Sequence, residues 1–200
     1  MRRWHIGDAP TALQLSEIAT ALTGGAVVLM PTDTIYGLHA VAANHDAVAR
    51  IAELKGRDDT KPFIVLAASV TQLPDLGITA APDIVDALAS IWPAPLTAIL
   101  LRGEAATLAV RVPALEWLRA LIERTGPLVS TSANRSGEPA VDRPAALAHD
   151  LQNALDVVDG GVRQGEPSAI LDLTGGEPRF IREGDLFFTQ KVWKTLRKSL

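Results

Sequence analysis

Residues 26–37, AVVLMPTDTIYG, change character at one point. Ala26 to Met30 is apolar throughout and β-branched in its middle, the composition of a strand buried on both faces. Pro31 follows, and the residues after it set two hydroxyls, Thr32 and Thr34, and the ring of Tyr36 directly beyond the strand. Open α/β sheets build ligand sites in this way, with polar side chains just past the end of a buried strand. Thr and Asp also close turns and cap helices, so PTDTIYG taken alone reads equally well as turn chemistry.

On the N-terminal side, Leu15, Ile18, Ala19 and Leu22 recur near helical spacing, which predicts a helix over 11–22 that stops at Gly24-Gly25. On the C-terminal side, 44–54 predicts a helix, FIVLA at 63–67 a second buried strand, and PDIVDALASIW at 82–92 another helix. Residues 97–101 and 108–112 predict a strand pair around a polar turn at Gly103-Glu104. A helix over 115–124, a strand over 128–131 and a helix over 145–151 opened by Pro144 follow. Strands at 170–173 and 179–181 flank a TGGEP turn, and a basic helix closes the chain. Helices and strands interleave throughout, with no internal repeat. The expected fold is α/β: a single domain over 1–200 with a twisted mixed sheet and flanking helices, mixed because of the hairpin-like pairs.

The 200 residues contain no cysteine, which excludes disulfide staples, thiolate zinc sites, iron–sulfur ligation and Cys nucleophiles, and makes a cytoplasmic location the expectation. His5, His39, His45 and His149 are scattered, so a structural metal site is not expected. The net charge of −4 argues against a nucleic-acid binder held by overall charge. The charge is uneven: residues 1–100 carry 6 basic and 10 acidic side chains, residues 101–200 carry 13 of each. KVWKTLRKSL at the C-terminus holds Lys191, Lys194, Arg197 and Lys198 with no acid, which reads as a solvated helix whose cations suit its dipole. No apolar run approaches the ~20 residues of a membrane-spanning helix. The opening MRRWHIGDAP runs into Gln14 and Glu17 rather than a hydrophobic region, so neither membrane nor export segment is expected.

Three further segments carry chemistry. KGRDDTKP at 55–62 packs Lys55, Arg57 and Lys61 directly ahead of a buried strand. Cations at a helix C-terminus are ordinary, but three before a strand can hold a polyphosphate and counter the charge that grows in phosphoryl or nucleotidyl transfer. STSANRSG at 130–137 offers Ser130, Thr131, Ser132, Asn134 and Ser136 with little bulk, which suits cradling a phosphate or a ribose. It is not a P-loop, a Rossmann glycine loop or a nucleophile elbow, and no histidine lies near it in sequence to activate a serine. Arg111 in LAVRVP and Arg182 in PRFIREG sit in strand-like context, where each alone reads as the solvent-facing member of an alternation. Asp33, Asp58, Asp59 and Asp172 could assist a metal, but no carboxylate spacing is diagnostic.

Together these segments resemble the YrdC-like threonylcarbamoyl-AMP synthase family. The resemblance runs in order through PTDTIYGL (31–38), LKGR (54–57), WPAPLT (92–97), LAVRVP (108–113), STSANRSGEP (130–139), GEPSAILD (165–172) and FIREG (180–184). Each motif is weak alone, and seven in order are specific. The length is similar to the short form of the family, without an additional C-terminal domain. The resemblance implies condensation of L-threonine, bicarbonate and ATP to threonylcarbamoyl-AMP and pyrophosphate, with Mg2+ accompanying ATP. A separate threonylcarbamoyl transferase would then modify tRNA, with a weak direct contact to RNA left open. By position it implies that Thr34, Arg111, Ser130 and Ser168 meet L-threonine. Arg57, Lys61, Thr107, Ser132, Asn134 and Arg182 meet ATP, and Lys55 and Arg57 counter the developing charge. There are departures from the family pattern. Lys61 stands where some relatives have asparagine, Pro167 replaces a more usual Ser or Thr, and Leu66 and Ala140 replace a histidine and a serine whose contacts are not carried over. Two alternatives stand beside this reading. One is a non-catalytic RNA-binding or ribosome-associated module, weakened by the acidic balance and few aromatics. The other is a carbamoyl transferase like that of larger hydrogenase-maturation proteins, whose zinc-finger cysteines are absent here.

Overall fold

A computed structural model describes residues 1–56, 62–175 and 177–199, the side chains of Lys198 and Ser199 excepted. The first half holds β1 (Arg3–His5), α1 (Ala12–Thr23), β2 (Val28–Pro31), β3 (Tyr36–Val41), α2 (His45–Leu54), β4 (Ile64–Leu66) and α3 (Pro82–Ile91). The second half holds β5 (Leu96–Arg102), β6 (Ala106–Arg111), α4 (Glu116–Thr125), β7 (Leu128–Ser132), α5 (His149–Gln152), β8 (Asp156–Asp159), β9 (Ala169–Asp172), β10 (Arg179–Arg182) and α6 (Leu186–Ser199). The ten strands form one sheet in the order β1-β8-β2-β3-β7-β4-β6-β5-β9-β10. It is mixed, as expected: β8 runs parallel to β1 and β2, β4 to β6 and β5 to β9, and the other neighbours are antiparallel.

The apolar run in β2 follows from cover on both faces. Val28 and Met30 pack with Ile18 and Leu22 of α1 and Leu118 and Leu121 of α4. Leu29 faces the other way, beside Leu38 of β3, Ile51 of α2 and Leu151 of α5. At the far end of the sheet, Leu88 of α3 and Val192 and Leu196 of α6 cover Leu96, Ala98 and Leu100 of β5. Helix α1 starts in a capping box: Thr11 Oγ1 accepts the Gln14 N–H, and the Gln14 side chain accepts the Thr11 N–H at 2.9 Å.

One local reading changes, and three strands, β1, β3 and β8, stand where the sequence pattern predicts none. PTDTIYG is a tight turn between β2, which ends at Pro31, and an antiparallel β3, which the pattern YGLHAV does not announce because it is buried almost throughout. The helix expected over 145–151 is two short pieces, a 3-10 turn at Pro144–Ala146 and α5. Leu147 and Ala148 between them leave the helical conformation, Leu147 and Leu151 both pack in the core, and Gln152 Nε2 donates to the Leu147 carbonyl at 2.6 Å. Strands β1 and β8 are three and four residues long, too short to show a period. Among the described residues no helix is long and apolar enough to cross a membrane.

The connection from β8 to β9 passes from the second to the ninth place in the sheet. Neighbouring strands lie ~4.8 Å apart, so the crossing is about 34 Å if the sheet is flat. Fully extended chain covers roughly 33–36 Å in ten steps. Residues 160–168 accordingly carry no helix or strand. The Tyr36 hydroxyl pins their start, donating to Gly161 O at 2.8 Å and accepting the Gly160 N–H at 3.0 Å. Farther on, Gly165 lies so close to the β2–β3 turn that a Cβ there would sit 2.2 Å from Thr34 O. Gly165→Ala therefore forces the strap off the turn, and urea unfolding should show a loss of ~1–3 kcal/mol. An unchanged midpoint would place the strap elsewhere.

Candidate functional site

Thr32 closes the β2–β3 turn from both sides, its N–H donating to Ile35 O at 3.1 Å and its Oγ1 to the same carbonyl at 2.8 Å. That commits the Thr32 hydrogen, so in the Thr32–Thr34 hydroxyl pair, 2.9 Å apart, Thr34 donates. Thr34 Oγ1 in turn accepts from Arg111 Nη1 at 3.0 Å. A directed chain thus runs Arg111, Thr34, Thr32, Ile35 carbonyl. Arg111 also donates from Nη2 to Asp33 Oδ1 at 2.6 Å. Arg111 is 4% exposed, so its reading as a solvent-facing strand charge is corrected: the face of β6 carrying Ala109 and Arg111 looks into a cavity rather than water. Asp33 pairs with Arg111, and Asp172 with Thr174 and Arg179; among the described residues no group of three His, Asp or Glu is placed to hold a metal. Two atoms of the buried ion pair, Arg111 Nε and Asp33 Oδ2, have no protein partner.

A second group forms where α2 ends. Lys55 is also 4% exposed, and its Nζ donates to Ser132 O and Asn134 Oδ1, both at 2.8 Å. Ser132 Oγ donates to Asn134 Oδ1 at 2.5 Å, and Asn134 Nδ2 donates to Glu138 O. The small-residue loop after β7 is thereby wrapped on a lysine ammonium. A third group is formed by β5, β10 and the residue that precedes β9. Thr97 and Ser168 share a buried hydroxyl contact at 2.8 Å, and Arg182 Nε donates to Ser168 O at 2.9 Å. Desolvation lowers the Arg182 pKa, and the charge of Arg111 adds to the shift.

These groups surround one cavity of about 720 Å3, within the ~300–1,000 Å3 span of small-molecule sites. Of the residues singled out from sequence, Thr34, Arg111, Ser130, Ser132, Asn134, Ser168 and Arg182 line it. Lys55 stands behind Ser132 and Asn134. Thr107 shares the strand face of Ala109 and Arg111 but sits at the exposed outer end of β6, outside the lining. Arg57 and Lys61, with Asp58 and Asp59, lie outside the described residues. Of the substituted positions, Ala140 and Pro167 line the cavity, while Leu66 belongs to the apolar cluster under α1 and α4.

Sequence reasoning missed Thr97 and His39. His39 is fully buried and lies opposite Ser130 in the β3–β7 register, with Nε2 3.2 Å from Ser130 Oγ and Nδ1 3.1 Å from Gly37 O. Desolvation by burial pulls its pKa down to about 4, and the nearby Arg111 charge acts in the same direction. A serine beside a histidine invites a nucleophile–base reading. An imidazole this acidic is a poor proton acceptor near neutrality, and a carbonyl rather than a carboxylate holds its far nitrogen, so the pair is not a hydrolase dyad.

With this geometry the chain can be set beside known proteins. The family model Sua5_yciO_yrdC, described as telomere recombination, matches residues 20–184. The chain belongs to this family. It is 36% identical to the threonylcarbamoyl-AMP synthase of Bacillus subtilis (strain 168), across 92% of this chain and 58% of that protein. With the Pyrococcus abyssi (strain GE5 / Orsay) protein of the same name it is 38% identical, across 81% of this chain and 51% of the relative. The chain thus spans about half the length of these two Sua5/YciO/YrdC relatives. A crystal structure of P. abyssi Sua5 complexed with L-threonine superposes with a TM-score of 0.86 at 33% identity, covering 96% of this chain and 61% of that one.

The His39 shift carries a stability consequence. The folded pKa of about 4 lies below the ordinary 6.5, so between those values the unfolded chain binds a proton that the folded chain refuses. The contribution is complete above pH 6.5 and is lost as pH falls toward 4, by about 3 kcal/mol at most. Urea unfolding of the wild type from pH 7 to 4 should fall more steeply than that of His39→Leu. Equal slopes would contradict the burial of a neutral imidazole.

Proposed function

We propose that this chain, acting as one YrdC-like domain, makes threonylcarbamoyl-AMP from L-threonine, bicarbonate and ATP with release of pyrophosphate. A separate threonylcarbamoyl transferase would carry the product to tRNA in the cytoplasm. The observation that carries the reading is Arg111: a guanidinium in the cavity wall, buried, with one N–H still lacking a partner. A carboxylate is the group that satisfies such a donor most strongly. The names of the relatives and the L-threonine bound to P. abyssi Sua5 support an amino acid as its bearer.

On this reading Arg111, Thr34, Ser130 and Ser168 receive L-threonine. Ser132, Asn134 and Arg182, with Thr107 at the rim, receive ATP, and so does Lys61. Lys55 and Arg57 counter phosphate charge, Lys55 through the loop that it holds. The threonine amine and bicarbonate form a carbamate with loss of water. A carbamate oxygen then bonds to the α-phosphorus, the bond to the β-phosphate bridging oxygen breaks, and pyrophosphate departs with the electron pair. No enzyme nucleophile is required, so the chain's work is positioning and charge compensation. Among the described residues of the lining Glu138 is the single carboxylate, and no described cluster of three His, Asp or Glu is placed to hold a metal. That donor set fits Mg2+ arriving on phosphate oxygens and keeping its waters, where it would neutralise phosphate charge.

Pyrophosphate release should require L-threonine, bicarbonate and ATP together, and Arg57→Ala should slow it ~100-fold or more. Equal release in the absence of L-threonine would overturn the reading.

A further inference from the structure

His39 is the one buried histidine of the cavity face, and the reaction above gives it no part. The cross-strand row Val28, His39, Ser130, Ile64, Ala109 marks where that face changes. Val28 belongs to the apolar cluster under α1 and α4, Ile64 both packs against that cluster and lines the cavity, and Ser130 and Ala109 line the cavity. The imidazole has a place made for it. A Cβ on Gly37 would lie 2.7 Å from His39 Cε1 and 3.2 Å from Nε2, so the missing side chain at 37 is the space the ring occupies.

We infer that His39 is a positioning residue that turns the Ser130 hydroxyl into a hydrogen-bond acceptor toward the cavity, assigning that wall to the N–H side of the substrate. A backbone carbonyl can only accept, so the contact with Gly37 O places a hydrogen on Nδ1. A neutral ring protonated there has a bare Nε2, and the 3.2 Å contact to Ser130 is then donation from the hydroxyl to the ring. Burial is the largest influence opposing a second proton on the ring and outweighs the backbone carbonyls of Gly37 and Val28, which favour one, and the Arg111 charge adds to the opposition. The only hydrogen of Ser130 therefore points at His39, and the lone pairs are left for whatever occupies the cavity. Lone pairs repel a carboxylate or phosphate oxygen and receive an ammonium, amine or carbamate N–H. The carboxylate is thus directed to Arg111 and the nitrogen to Ser130. A threonine nitrogen that has become a carbamate keeps one N–H, so the same acceptor serves before and after the C–N bond forms. The identity of the ligand rests on the proposed function; the polarity of Ser130 does not.

Two measurements separate these. Nitrogen-15 NMR of the imidazole in the ligand-free wild type near pH 7 should report a neutral ring with hydrogen on Nδ1. Hydrogen on Nε2, or on both nitrogens, overturns the inference. Calorimetric titration with L-threonine should show Ser130→Ala and His39→Leu each weakening binding ~10-fold. The double variant should lose little more than either alone, because both remove one interaction, with ATP affinity as the control for folding. His39→Gln, whose amide oxygen can accept the Ser130 hydrogen, should recover most of the loss. Losses that multiply to ~100-fold, or a His39→Gln variant no better than His39→Leu, would overturn the inference. A wild type with the Nδ1 hydrogen that ignores L-threonine would sink the substrate assignment and leave the polarity of Ser130 standing.

Discussion

A guanidinium taken out of water must be compensated or it costs several kcal/mol, and Arg111 is 4% exposed in the wall of the cavity. Its compensation comes from Asp33 and Thr34, which lie in the turn between β2 and β3, while Arg111 itself comes from β6. In the sheet, β7 and β4 stand between those elements. One buried charge therefore ties two separated parts of the sheet across a shared concavity. The strap over 160–168 reinforces the tie, since Gly165 presses on the backbone of Thr34 from outside. Among the groups that compensate the guanidinium, none meets Arg111 Nε, and an unpaired buried donor costs ~1–3 kcal/mol. A ligand carboxylate that meets it recovers that cost on binding.

The rest of the cavity continues this division by charge and by hydrogen-bond direction. Lys55 gives its hydrogens to Ser132 and Asn134 and so fixes the loop that follows β7. Arg182 reaches in from β10 and feels Arg111, and two cations facing one space raise the affinity of that space for anions. Thr34 and Ser130 are both hydroxyls, but their hydrogens are spoken for, by Thr32 and His39 respectively. The cavity thus offers cationic donors and fixed acceptors on different walls, which suits a molecule carrying both an anionic and an N–H end.

Much of this is legible in the sequence. AVVLM reads as a strand covered on two sides because Val28 and Met30 do meet one helix layer and Leu29 the other. The strand pair over 97–112 and the hairpin around TGGEP are present because alternating apolar residues and a polar turn specify each other locally. What stayed hidden depends on register. His39 and Ser130 are 91 residues apart, and nothing in YGLHAV says which strand lies beside it. LAVRVP shows that Arg111 is on the face opposite Val110, but not whether that face meets solvent or a cavity. The helix expected over 145–151 breaks at Leu147 and Ala148, and local spacing does not express the break, since Leu147 and Leu151, four residues apart, would share one face of a continuous helix as well. The net charge of −4 said least of all, because the decisive cations are few and buried.

The central claim is that the unpartnered Nε–H of Arg111 donates to the substrate carboxylate while Ser130 accepts from its nitrogen. A crystal structure with L-threonine bound tests it most directly. The account predicts the carboxylate within hydrogen-bond distance of Arg111 Nε, the amine within hydrogen-bond distance of Ser130 Oγ, and the Arg111–Asp33 pair intact. L-Threonine bound with its carboxylate at Ser130, or with Arg111 Nε still unpartnered, would contradict it.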